Sequence, residues 1–124
     1  MHALRIALVA LVAIEHLYIL VLEMFLWTTP RGRRVFGLTE DFARASKSLA
    51  ANQGLYNGFL AMGLLWSLSP STDHFSTALQ AFFLGCVLVA AIFGAATAKR
   101  SILFLQGGPA ALAMAAVIID ATMR

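Results

Sequence analysis

The chain has little charge and almost no cysteine. Asp, Glu, Lys and Arg make up only 12% of its 124 residues, against 60% hydrophobic residues. In an ordinary soluble domain about a quarter of the residues are charged, so that class is excluded. Cys86 is the one cysteine and lies within an apolar run. A disulfide framework and a thiolate metal site within one chain are therefore excluded as well. Sequence repeats, linkers and low-complexity tracts are also lacking. The net charge is +3, and the basic residues sit mostly in two short clusters between the apolar stretches. They read as topology signals, and nucleic acid is not an expected partner.

What the chain does have is four apolar runs: Ala3 to Trp27, Leu49 to Leu68, Phe75 to Ala98, and Ile102 to Ile119. At a rise of about 1.5 Å per residue each is about 27 to 37 Å long, enough for a hydrocarbon core of about 30 Å. The expected fold class is all-α: a polytopic membrane protein with four transmembrane helices in one bundle, a single domain over residues 1–124 embedded in the lipid bilayer. The first run is too long for the apolar core of a signal peptide and carries Glu15, His16 and Glu23, so it is expected to be retained.

Orientation follows from the loops. Arg31, Arg33, Arg34, Arg44 and Lys47 lie between the first and second runs, and Lys99 and Arg100 between the third and fourth. Arg5 and Arg124 flank the outer ends, and the remaining connection holds Asp73 and His74 with no Lys or Arg. The positive-inside rule then puts both basic loops in the cytoplasm and both termini outside, in a multi-pass protein of the cytoplasmic (inner) membrane. Thr39 reads as an N-cap with Glu40 and Asp41 in the first turn, so the second helix is expected to start there, ahead of the membrane, and to continue through Lys47. In the third run Ala90, Gly94 and Ala98 recur at four-residue spacing, with Ala91 and Ala95 beside them. Small residues at that spacing allow close helix packing, either within the chain or in a homo-oligomer.

An unpaired carboxylate at the hydrocarbon centre costs at least about 2.5 kcal/mol, so Glu15 and Glu23 must face protein or water. At 100° per residue His16 and Glu23 lie about 20° apart around the first helix, with Glu15 within about 100° of both. On the second helix Asn52, Tyr56, Gln53 and Asn57 fall within about 140° of one another. Counted from the cytoplasmic ends of their runs, Glu23, Asn52, Gln53 and Gln106 lie within about 6 Å of the boundary. Gly107, Gly108 and Pro109 follow Gln106, and the proline withholds a hydrogen bond from the Leu105 carbonyl and favours a kink. The expectation is a polar cavity in the cytoplasmic half, walled by the first, second and fourth helices.

The run Glu15-His16-Leu17-Tyr18, then Glu23-Met24-Phe25-Leu26-Trp27, then Asn52-Gln53-Gly54-Leu55-Tyr56-Asn57-Gly58-Phe59-Leu60-Ala61 resembles the domain of unknown function 1304 family of small bacterial membrane proteins. The resemblance covers nearly the whole chain. It implies a membrane protein and supplies no reaction.

Several activities stay open. Asn, Gln, His and Tyr also serve as interhelical glue, at about 0.6 to 2 kcal/mol each, but two carboxylates and a histidine are not needed to hold an apolar bundle together. The leading expectation is acid–base chemistry, such as an isomerisation, on a small lipophilic molecule. Glu15, His16 and Glu23 would be the catalytic groups, with Asn52, Gln53, Tyr56, Asn57 and Gln106 binding substrate. Alternatives are a proton-coupled small-molecule transporter, topologically similar to the small multidrug resistance exporters, and a structural or partner-binding membrane protein. Metal or haem binding through His16 with Glu15 or Glu23 is a further alternative, but the residues form no recognised ligand spacing, so no metal site is assigned and the cofactor is unknown. Tyr18, Trp27 and Phe59 border the same region; interfacial anchoring suits Trp27 and packing suits Phe59.

Overall fold

A computed structural model describes residues 2–123. Arg124, counted above among the outer flanking charges, lies outside the described residues. The architecture is all-helical: α1 (His2–Met24), α2 (Pro30–Phe36), α3 (Glu40–Ala45), α4 (Lys47–Trp66), α5 (Ser76–Thr97) and α6 (Gly108–Thr122). A 3-10 turn at Pro70–Thr72 precedes α5, and a π-helical turn at Leu103–Gly107 leads into α6. The chain divides into two compact units, Met1–Glu15 with Leu60–Arg124, and His16–Phe59.

In the first unit the core is built from Val9, Val12 and Ala13 of α1, Leu64 of α4, Leu84 and Val87 of α5, and Ala110, Ala113 and Val117 of α6. These positions recur at helical spacing, so each helix turns one face inward. The small residues of α5 are split between two faces. Ala91 is buried, and a Cβ on Gly94 would lie 3.2 Å from Cγ2 of Ile102, whereas Ala90 and Ala98 are exposed. Phe82, Val89, Ile92 and Phe93 are exposed too, an apolar face suited to lipid. The irregularity expected at Pro109 takes the form of the π turn. Proline has no N–H to give the Leu105 carbonyl, the Gly108 N–H goes to the Phe104 carbonyl, and the wider turn absorbs the mismatch.

In the second unit the segment after Met24, read above only as a loop, forms two short helices. Thr29 caps α2, accepting from the Gly32 N–H at 3.3 Å, with Pro30 in the first turn where its missing donor is harmless. Gly37, at φ 67°, closes α2 in the left-handed region. Thr39 caps α3 as expected, accepting from the Phe42 N–H at 3.2 Å. The second helix does not run on unbroken from there: Ser46 interrupts it and α4 begins at Lys47. Ser46 Oγ donates to the Phe42 carbonyl at 2.6 Å and accepts from Trp27 Nε1 at 3.0 Å. A side chain that bonds its own backbone in this way competes with the regular helix.

Among the described residues three helices are long and apolar enough to cross a membrane: His2–Met24, Ser76–Thr97 and Leu103–Thr122. The 20 residues of α4 are long enough as well. Its Asn52, Gln53 and Asn57 lower its hydropathy, and by composition it does not qualify.

Candidate functional site

The candidate site lies in the second unit, where α1 and α4 approach through glycine. A Cβ on Gly54 would sit 2.6 Å from Cγ of Met24, 3.1 Å from Cβ of Glu23 and 3.2 Å from the Leu20 carbonyl oxygen. One turn further, a Cβ on Gly58 would sit 2.6 Å from Cδ1 of Leu20. Gly54 and Gly58 are four residues apart, the small-residue spacing that lets membrane helices come close. With the backbones this near, Asn57 Nδ2 donates to Glu23 Oε1 at 2.6 Å, and also to the Gln53 carbonyl at 3.1 Å. Glu23 is 9% exposed. Among the described residues no Lys or Arg lies within ion-pair distance of it.

A carboxyl group held at one oxygen by an amide, with no basic side chain beside it, is suited to giving and taking a proton. The close approach that holds it makes a prediction. Gly54→Ala should destabilise the protein by about 1–2 kcal/mol, because Met24 can move aside while Glu23 Cβ and the Leu20 carbonyl are tied to the α1 backbone. Thermal unfolding in detergent micelles checks it, and an unchanged transition would show that the helices separate freely.

The other expected site residues are placed as follows. His16 is buried at 1% exposure in the second unit. Asn52, Gln53 and Tyr56 are exposed on α4, with the Tyr56 and Phe59 rings 6.1 Å apart. Tyr18 stands apart from Glu23 in its contacts, its hydroxyl accepting from Arg31 Nε at 3.2 Å and Nη2 at 3.0 Å. Trp27 packs on Phe36 with ring centroids 4.8 Å apart. Glu15 and Gln106 belong to the first unit; Glu15 Oε2 is buried with no hydrogen-bond partner among the described residues, and Gln106 sits half-buried in the π turn. Among the described residues no three His, Cys, Asp or Glu side chains gather as a metal site would require.

The sequence reading missed a second polar cluster, in the first unit. Arg5 is 1% exposed and donates from Nε to Gln80 Oε1 at 2.6 Å and from Nη1 to Asp120 Oδ2 at 2.9 Å. Its Nη2 reaches Thr77 Oγ1 at 3.1 Å and Ser76 Oγ at 3.3 Å. Gln80 Nε2 in turn donates to the Ser67 carbonyl at 3.3 Å, and His2 Nδ1 lies 3.6 Å from Asp120. With neutral acceptors and one carboxylate around it, this guanidinium is occupied by protein, so the cluster holds helices together. The available signal was Gln80 standing alone in an otherwise apolar run.

All-helical architecture, three helices among the described residues fit to cross a membrane, and a polar pair that joins one of them to α4 define a helical protein of the membrane type. The chain belongs to the family described as "Protein of unknown function (DUF1304)", whose family model matches residues 10–118. It is similar to "Uncharacterized protein YpaA" of Lactococcus lactis subsp. lactis (strain IL1403), at 34% identity over 116 residues covering 92% of this chain and 96% of that protein. No solved structure matches the chain.

Proposed function

We propose that the chain is a multi-pass protein of the cytoplasmic (inner) membrane, with α4 as a fourth transmembrane helix and both termini outside, and that Glu23 performs acid–base chemistry on a small lipophilic molecule. The observation that carries this reading is the Asn57-to-Glu23 hydrogen bond of 2.6 Å at a carboxyl that is 9% exposed. Asn57 holds Oε1 and leaves Oε2 for a substrate proton. Asn52, Gln53 and Tyr56, exposed on the same helix, supply orienting hydrogen bonds, and Tyr56 and Phe59 supply apolar contact. His16, in the same unit, joins the proposed set as a proton partner. An isomerisation needs no co-reactant, because the proton that Glu23 takes from one carbon returns to another.

The test is to incubate membrane lipid extract with the reconstituted chain and to look for a lipophilic species that changes chromatographic position without changing mass. Glu23→Gln should slow that conversion about 100-fold or more. Conversion that survives alike in Glu23→Gln, Glu15→Gln and His16→Ala overturns the proposal. One observation favours a second reading, proton-coupled transport: Glu15, also on α1, has a buried carboxyl oxygen without a hydrogen-bond partner among the described residues. Substrate flux in proteoliposomes that follows an imposed pH gradient, with no isomer formed, would select that reading.

A further inference from the structure

The net charge of the stretch from Thr28 to Ser48 matches that of the whole chain, because the charges outside it cancel. Arg31, Arg33, Arg34, Arg44 and Lys47 stand there against Glu40 and Asp41, a balance of +3 that equals the net charge of the entire chain. Two of the five are neutralised locally. Arg44 Nη2 donates to Glu40 at 2.9 Å, and Arg33 Nη1 lies 3.9 Å from the same carboxylate. Among the described residues Arg31, Arg34 and Lys47 have no acidic partner.

The short helix α2 sorts these charges by face. Gly32, Arg33 and Phe36 turn toward protein, with Phe36 on the Trp27 ring, while Arg31, Arg34 and Val35 are exposed. At 100° per residue those three fall within about 100° of one another, so one face mixes two guanidinium groups that have no acidic partner among the described residues with an apolar side chain. Arg31 is drawn further still. Its bonds to the Tyr18 hydroxyl hold it against a residue six positions before the end of α1, about 9 Å along the helix axis. Of its five N–H donors, three stay unused among the described residues. The same unit exposes Phe25, Phe42 and Leu49. A soluble acidic partner would meet the charges and leave these apolar groups in water; the boundary of an anionic bilayer takes both, with phosphates on the arginines and acyl chains under the aromatic and aliphatic side chains.

We propose that the exposed face of α2, Arg31, Arg34 and Val35, together with Lys47, binds the phosphate headgroups of anionic phospholipids in the leaflet at the end of α1. The inference rests on the membrane-spanning reading and is independent of any chemistry at Glu23. In nanodiscs of equal parts phosphatidylcholine and phosphatidylglycerol holding the full chain, spin-labelled phosphatidylglycerol should be immobilised about fivefold more than spin-labelled phosphatidylcholine. Arg31→Gln with Arg34→Gln should lower that preference about threefold, as should raising the salt to about 1 M, where the screening length falls to about 3 Å. Lys99→Gln with Arg100→Gln, in the other basic loop, should leave it unchanged. Arg34→Gln alone, at a residue without an acidic partner among the described residues, should give part of the loss with the thermal transition unaltered. A chain that inserts yet shows no preference overturns this inference and leaves the membrane reading intact, whereas failure to insert overturns both. Equal loss in the Lys99 and Arg100 variant overturns it in favour of a diffuse charge effect. Absence of lipid preference combined with retention on immobilised polyglutamate overturns it in favour of an acidic protein.

Discussion

Replacing Asp120 by alanine should lower the unfolding free energy by about 3–5 kcal/mol, the range observed when one partner of a buried ion pair is removed. Asp120 is the only carboxylate within ion-pair distance of Arg5 among the described residues, and a guanidinium cannot shed its proton to escape the loss. The helices that carry the two residues, His2–Met24 and Leu103–Thr122, are both apolar enough to enter a bilayer. The charge left behind would therefore be in or beside hydrocarbon rather than in water. Gln80, Ser76 and Thr77 would still accept from Arg5 and moderate the effect. Asp120→Asn keeps an acceptor at the same place and should cost less, about 1.5–3 kcal/mol, the range for hydrogen bonds to a charged group. Arg5→Met combined with Asp120→Leu should lose less than Asp120→Ala alone, because a desolvated pair is replaced by apolar volume. Reversible unfolding in mixed micelles reads these three variants together with the single changes Arg5→Met and Asp120→Leu. A double variant as damaging as the sum of its single changes would show that the two residues do not act as a pair.

Gly32→Ala should destabilise the protein by about 3 kcal/mol, at the upper end of what overpacking costs. The added Cβ would overlap the Leu26 carbonyl oxygen, a contact that cannot be relieved by turning a side chain. Nor can the carbonyl swing away cheaply, since it accepts from Thr29 Oγ1 at 2.6 Å and from the Thr29 N–H at 3.1 Å. The same Thr29 hydroxyl caps α2 through the Gly32 N–H, so moving one group disturbs the whole turn from Leu26 to Gly32. Gly37→Ala is the matched comparison. Nothing lies within 4 Å of its added Cβ and only the left-handed backbone, at φ 67°, opposes it, so the cost should be about 1–2 kcal/mol. Melting temperatures of the two variants in one detergent test the ranking. Equal shifts would mean that the turn after α1 is loose.

The candidate site was partly legible before the structure. Glu23 stands out because a carboxylate in a long apolar run must be given a partner, and an amide on the second helix was the natural one. Choosing among Asn52, Gln53 and Asn57 was not within reach. Angles around a single helix say which residues share a side and leave open which side meets the neighbour. Gly54 and Gly58 decide that by bringing the α4 backbone against Leu20 and Met24. Helical side chains lean toward the N-terminus, so Asn57, one turn further along α4, reaches back to the Gln53 carbonyl and to Glu23. Arg5 was read as a flanking charge because position near a chain end looks the same whether a residue faces water or protein. Its burial depends on Gln80 and Asp120, 75 and 115 residues away in sequence.

Helix content, the apolar lengths of α1, α5 and α6, the cap at Thr39, the crowding of positive charge after α1 and membership of the family all follow from sums and spacings along one strand of residues. Hydropathy, cap chemistry and net charge are local quantities, so a linear reading suffices for them. Tertiary structure alone decided that Ser46 breaks the second helix, that Asn57 holds Glu23, that Gly32 has no room for a methyl group, and that Arg5 is buried in a network rather than solvated at an end. Each of these depends on how closely two backbones approach, and that distance is set by the side chains of both partners at once.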